Sequence, residues 1–234
     1  MSTNQKPAIR TPLQNWHMEH GAHLLARFGW QLPAHYGSLQ SELAAARDGI
    51  GLADISACAK LRLDGQGVRG FASKFVPAGS LSKPGEVANV DCNGPALASC
   101  LTERTLFLTA SETAPTSLLE RFKSLPETVA TDLTMALAAF ILVGPRSEAL
   151  LRRLTALDLS IVSLPAGKCA ETSIAGVHAL LVRPPRSTLI ETQLFVSADL
   201  AEYVWETLLH NGGEFGIVPL GFQGLDTIGS QVVQ

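Results

Sequence analysis

The same order of elements occurs twice along this chain, and that repetition limits the folds open to it. Lys60-Leu61-Arg62-Leu63-Asp64 alternates like a half-buried strand, Gly65 turns the chain, and Val68 to Val76 reads as a helix. Ala139 to Val143 reads as a second such strand, Gly144-Pro145 as its turn and Ser147 to Leu154 as its helix; the two glycines stand 79 positions apart. Each unit is followed by one more strand and helix. Thr105 to Thr109 leads to Ala114 to Leu125, and Thr192 to Val196 leads to Leu200 to His210, with Phe107 and Phe195 88 positions apart. This order argues for an α+β fold of two similar halves on antiparallel sheets; a chance recurrence of common strand–helix units is the alternative. The halves expected are residues 11–57 with 136–234, and residues 58–135, behind a disordered lead-in, 1–10.

Ahead of the repeat, Asn15 to Phe28 carries Trp16, His20, His23 or Leu24, and Arg27 at helical spacing, and Gly29 and Pro33 end that helix. Trp30, Pro33 and Tyr36 are expected to form a packed turn. A second helix starts at Ser38, with a capping-box pattern through Glu42, and closes at Gly49 to Gly51.

The bulk composition mainly excludes. A formal charge of −3 over 234 residues leaves no basic footprint for nucleic acid or an anionic membrane. No apolar run approaches the ~20 residues of a membrane span, Met135 to Val143 being the longest, and Met1 to Arg10 has no apolar signal core. Cys58, Cys92, Cys100 and Cys169 are dispersed without a CxxC and read as reduced thiols in a soluble, cytoplasmic protein. With 46% hydrophobic and 17% charged residues, the chain is apolar enough to expect a partner over part of its surface. No Walker or GxSxG pattern is present, which leaves phosphate-loop and serine-hydrolase chemistry without support. His17, His20 and His23 share a helical arc, but the spacing matches no zinc motif, and structural roles are favoured.

The densest text is Thr11-Pro12-Leu13, His17, Gly21-Ala22, Phe28-Gly29-Trp30, Pro33, Tyr36, Glu42, Ala46-Arg47, Gly51-Leu52, Asp54 and Ser56. This stretch resembles the opening of the glycine cleavage T-protein (aminomethyltransferase) family. The segment Gly216 to Gly229, with Gly221-Phe222-Gln223-Gly224-Leu225-Asp226-Thr227, is similar to that family's later G…GL.ARDT run. The resemblance implies the family's tetrahydrofolate-binding fold without the β-barrel that follows in full-length members, since this sequence stops at Gln234. Leu164 to Thr172 and Tyr203-Val204-Trp205 also resemble the gamma subunit of heterotetrameric sarcosine oxidases.

The resemblance also implies where chemistry should sit. The family places an aspartate on a Gly-Gly-Ile-x-Asp-Asp-Leu strand, where a carboxylate orients the folate amine and stabilises developing positive charge. Aligned on Gly94, that pair falls on Ala98 and Ser99, neither of which is a carboxylate. Asp91 is the nearest acid, a pterin ligand on one reading and an Asx-turn residue in Val90-Asp91-Cys92-Asn93-Gly94 on the favoured one. Arg183 stands at the arginine of the family's second folate signature. Leu189 falls on its pterin-binding glutamate, a role that Glu191 takes with a two-residue shift. Arg183 and Glu191 as ordinary strand-edge charges is an equal reading.

The function implied is a T-protein-like, tetrahydrofolate-binding protein of one-carbon metabolism with lost or altered catalysis, working with a lipoyl carrier or a flavin oxidase subunit. Asp91, Arg183 and Glu191 are its folate-binding candidates. A non-catalytic subunit of a sarcosine-oxidase-like or lipoyl-carrier complex is the alternative. A folate-sensing or iron–sulfur maintenance role ranks last, because Gly167-Lys168-Cys169 does not match that group's Lys-Gly-Cys order.

Overall fold

The computed structural model describes residues 9–230 apart from 69, 71–75, 77–79, 93, 111–114, 124, 161 and 186–190. Three sheets organise the chain. Strands β1 (Ile9–Arg10), β2 (His23–Arg27) and β3 (Trp30–His35) form the smallest, in the order β1-β3-β2. The six-stranded sheet combines β4 (Ile50–Asp54), β10 (Leu137–Val143), β11 (Lys168–Ile174), β12 (Val177–Arg183), β13 (Glu191–Ser197) and β14 (Ile217–Pro219), ordered β11-β12-β13-β10-β4-β14. The five-stranded sheet combines β5 (Ala59–Gly65), β6 (Val87–Asp91), β7 (Pro95–Thr102), β8 (Thr105–Ala110) and β9 (Thr128–Asp132), ordered β6-β7-β8-β5-β9. All neighbours in the two large sheets are antiparallel except β14 on β4. The fold is α+β with antiparallel sheets.

Period-2 alternation gives each large sheet one face toward helices and one toward the other sheet. On the outer face of the six-stranded sheet, Ile50, Leu52, Phe140, Leu142, Leu181 and Leu194 pack with α1 (Gln14–Glu19), α4 (Ser147–Leu154) and α5 (Ala201–Gly212). Trp205, fully buried, anchors this core edge-to-face against Trp16 and Phe140, each 5.3 Å away. The outer face of the five-stranded sheet packs on Leu118 and Phe122 of α3 (Pro115–Lys123). Between the sheets, Phe107 meets Phe195 edge-to-face at 5.0 Å amid Val87, Ala139, Cys169 and Leu180. All four cysteines are buried free thiols. Among the described residues, no helix is long and apolar enough to cross a membrane.

The single helix expected over Asn15–Phe28 is instead a helix and a strand. α1 stops at Glu19, where Gly21 takes φ +73° and the amides of Gly21 and Ala22 close back onto Met18 O and His17 O. This is a Schellman cap, and the left-handed glycine it needs outweighs the helical spacing of the next residues. His23–Arg27 then pairs antiparallel with Trp30–His35, so Trp30, Pro33 and its neighbours form a strand rather than a turn. Pro33 lies opposite the register shift at His23/Leu24, where its missing N–H costs least. α2 (Leu39–Asp48) starts after Ser38 as expected, but no capping box closes: Glu42 is one residue too far along, and the Ser38 side chain makes no cap bond. The buried Glu42 carboxylate instead accepts from Tyr36 N at 2.6 Å and Gly221 N at 2.9 Å, tying α2 to both ends of the chain. The helix expected over Val68–Val76 falls largely outside the described residues; α4 spans Ser147–Leu154 as read from the sequence.

A buried relay fixes α1 to the six-stranded sheet. Asp54 Oδ2 lies 2.9 Å from His17 Nε2, and His17 Nδ1 lies 2.7 Å from the Tyr36 hydroxyl. Burial, then the charges of Asp54 and Glu42, push the Tyr36 phenol far up, so it stays protonated and donates to Nδ1. With Nδ1 accepting from Tyr36, the Nε2 of His17 faces Asp54 as the donor of that bond. Burial opposes ionisation of Asp54, but the bonds from His17 and from Ser56 N, at 2.8 Å, hold its carboxyl below the usual range. The Asp54 side chain is fully enclosed, so the relay is a staple and not an acid facing solvent. His17→Ala strands a buried carboxylate and should lower unfolding stability by about 3 kcal/mol or more in urea titrations. Because folding depresses the Asp54 pKa, its contribution is complete above the unfolded value of about 4 and fades as pH falls below it. Asp54→Asn should be destabilised at pH 7 and lose less stability than the parent between about pH 5 and pH 2.

Candidate functional site

The two large sheets touch at Phe107 and Phe195, and residues of both also line a cavity of about 460 Å³. Its six-stranded wall carries Ile141 and Val143 of β10 and Glu191 and Gln193 of β13; the facing wall carries Asn89, Leu97 and Thr109 of β6, β7 and β8. Ile55, Ala57 and Cys58, where the chain passes between the sheets, also line it. At the mouth stand Arg27, Phe28 and Leu32 of the β2–β3 hairpin and Phe222, Leu225 and Asp226 of α6 (Phe222–Ser230). The walls are mostly apolar with a few convergent polar groups, the usual make-up of a small-molecule site.

Glu191 and Gln193 reach the cavity because strand alternation sends Thr192 and Leu194, both fully buried, to the helix-covered side. Gln193 Nε2 donates to Glu191 Oε1 at 3.1 Å, which places an acceptor-rich carboxylate beside an amide. Asp54 contributes its place on β4 to the wall, but its carboxylate points away into the His17 relay. Burial raises the Cys58 thiol, with Lys60 working against the rise, so it lines the cavity as a neutral group.

The three folate-binding candidates are not brought together. Glu191 lines the cavity. Asp91 sits exposed at the end of β6, where its Oδ1 accepts from Gly94 N at 3.1 Å in a tight turn, and Asn89 two residues earlier faces the cavity instead. Arg183 shares a strand face with Ala179 and Leu181, so it lies on the helix side of the six-stranded sheet. There its Nη1 donates to Leu164 O at 2.5 Å and its Nη2 lies 3.5 Å from Glu148 of α4. Ala98 is enclosed in the core beneath α3, and Ser99 is buried beside Cys169, whose thiol burial pushes up to about 12. Among the described residues, no group of three or more His, Cys, Asp or Glu is placed to hold a metal ion.

Sequence reasoning missed Asn89, Thr109 and Gln193, although alternation from Glu191 reaches Gln193 at once. It missed Arg27 because that residue was assigned to a helix. Nothing in the local sequence of Asn89 or Thr109 marks them, since only the facing of the two sheets brings them to one space.

The match to known families follows the same outline. The family model described as the GCVT N-terminal domain matches residues 13–229. The chain belongs to that family. It is 28% identical over 230 residues to an aminomethyltransferase of Desulforamulus reducens, covering 94% of this chain and 62% of that protein. It is 24% identical to the aminomethyltransferase of Bacillus subtilis, with 94% and 63% covered. The chain thus spans less than two thirds of the length of these relatives. Among solved structures, the glycine cleavage system aminomethyltransferase T of Bartonella henselae superposes with a TM-score of 0.79 at 20% identity, over 94% of this chain and 61% of that one. A chain of the heterotetrameric sarcosine oxidase of Corynebacterium sp. U-96 superposes with a TM-score of 0.64 at 19% identity, over 90% of this chain and 98% of that one. At these identities both likenesses concern the fold.

The mouth of the cavity depends on close backbone approach at Gly221, which leads into α6. A Cβ there would meet Ala34 O at 2.1 Å and His35 N at 2.5 Å. Gly221→Ala should therefore displace α6 from β3, costing about 1–3 kcal/mol in thermal or urea unfolding.

Proposed function

We propose that this chain is a tetrahydrofolate-binding protein of one-carbon metabolism in which aminomethyl transfer is lost or altered. The observation that carries the reading is the inter-sheet cavity with the Glu191 carboxylate on its wall. A volume near 460 Å³ suits a drug-sized ligand. A carboxylate accepts two parallel N–H bonds, which is the demand made by the donor edge of a pterin ring, and Gln193 beside it supplies a further acceptor. The apolar walls from β7 and β10 suit a flat ring. Family membership and the aminomethyltransferase relatives support the same ligand class. Asp91 and Arg183, being off the cavity wall, would serve it only by holding the turn after β6 and the end of β12.

Loss of transfer is argued from Ala98 and Ser99. They stand at the family's paired acids, and the described cavity wall offers no carboxylate on β7 to replace them. The protein is placed in the cytoplasm on this reading, beside a lipoyl carrier or flavin oxidase subunit. Isothermal calorimetry with 5-formyltetrahydrofolate should give a dissociation constant of about micromolar order, and Glu191→Ala should weaken it about tenfold to a hundredfold. No detectable heat from the unaltered chain would sink the reading. Mixed with an aminomethyl-loaded lipoyl carrier and tetrahydrofolate, the chain should release no ammonia above background.

A second reading is a subunit of a larger assembly, supported by the fold likeness to a chain of the heterotetrameric sarcosine oxidase. Met18, Leu25 and Phe28 leave apolar surface for such a partner. Co-elution with a flavin oxidase subunit on co-expression would favour it.

A further inference from the structure

We infer that Arg27 is the receptor for an anionic end of the cavity's ligand, and that Asp226 is an internal competitor which occupies it in the empty protein; the inference rests on the ligand reading above. Arg27 is the only cationic side chain on the cavity wall among the described residues. Its Nη1 donates to Asp226 Oδ2 at 2.7 Å, and its guanidinium lies 4.8 Å from the Phe222 ring centroid and 5.1 Å from that of Phe28. Two aromatic faces fix the plane of the fork, so the donors that Asp226 leaves unused are held for a second, oxygen-rich acceptor.

The backbone supports the assignment. Phe28 and Gly29 form the two-residue turn of the β2–β3 hairpin with φ of +51° and +82°, the signs of a type I′ turn. Glycine or asparagine is the usual first residue of such a turn, and a bulky ring there is disfavoured. It is retained where it stacks on Arg27 and lines the cavity mouth. Strain of this kind, held by the surrounding structure, clusters at ligand sites.

The competitor is only lightly held. Asp226 is about half exposed and sits on α6, whereas Arg27 is mostly covered and sits on the hairpin, so the pair links two separate elements across the mouth. An exposed ion pair is weak, and a ligand carboxylate that also gains the cavity walls can displace it. The ligand class is therefore an amphipathic molecule with a hydrogen-bond-donor head at Glu191 and a carboxylate at the far end.

The test uses the full chain unaltered, as Arg27→Met and as Asp226→Asn. Glutarate alone is followed by thermal shift. Calorimetry compares 5-formyltetrahydrofolate, which has a carboxylate tail, with 6-methyltetrahydropterin, which has none. Arg27→Met should weaken the tailed ligand about tenfold or more and leave the tailless one within about twofold. Asp226→Asn should strengthen the tailed ligand several-fold and enlarge the glutarate shift. An equal loss for both pterins in Arg27→Met, or a weaker tailed ligand in Asp226→Asn, overturns the inference. If neither pterin binds the unaltered chain, the folate reading fails by itself. A glutarate shift that grows in Asp226→Asn and vanishes in Arg27→Met would then still uphold the anion site, and the absence of that pattern would end it.

Discussion

The chain passes between the two large sheets twice, and each passage begins with a short acid–aliphatic–hydroxyl motif that extends the ladder of the sheet it leaves. After β4, Asp54 accepts the amide of Ser56, Ile55 N donates to Ala139 O at 2.8 Å, and Ala139 N donates back to Ser56 Oγ at 3.0 Å. After β9, Asp132 accepts the amide of Thr134, Leu133 N donates to Lys60 O at 2.8 Å, and Lys60 N donates back to Thr134 Oγ1 at 3.1 Å. Ser56 and Thr134 are buried, as are Lys60 and Ala139, so each bond replaces one that water cannot supply. Loss of either hydroxyl would leave a buried amide unpaired, which costs more than a typical hydrogen bond contributes.

The two crossings set the architecture. Because β4 and β9 each lie in one sheet and lead into the other, the sheets are clasped at one end of their interface. A second clasp lies where Val87 N donates to Gly167 O and Cys169 N to Gly85 O, both at 2.8 Å, with Glu86 bridged to Lys168. Gly85 and Gly167 both take positive φ, the turn that lets each strand reach across. Phe107 and Phe195 meet in the interior. Matching positions of the two repeats therefore contact one another, and the cavity lies on the side of this interface that neither the second clasp nor the Phe107–Phe195 contact fills.

Much of this was legible in the sequence where a local rule acts alone. The strand and helix from Leu137 to Leu154, and the strand–helix pair after it, were read nearly to their ends because alternation, glycine and helical periodicity agree there. The first helix was misjudged because Trp16, His20 and His23 fit helical spacing, while Gly21 outweighs it through the cap it forms. Asp54 and Ser56 recur as Asp132 and Thr134, but the local sequence does not reveal the pairing, since its meaning lies in bonds to residues 74 to 83 positions away. Arg183 shows the same limit. Its place in a motif suggested a ligand, whereas strand parity, counted from Ala179 and Leu181, sends it to the helix side.

The walls and the mouth of the cavity are held by different parts of the fold. The walls come from strands whose register is fixed by antiparallel backbone ladders, so Leu97 pairs with Thr109 and Ile141 with Gln193. The mouth comes from a hairpin and a terminal helix joined by the Arg27–Asp226 pair and by Glu42. The ladder of β7 on β8 is made by backbone groups, so the side chains of Ala98 and Ser99 do not set its register.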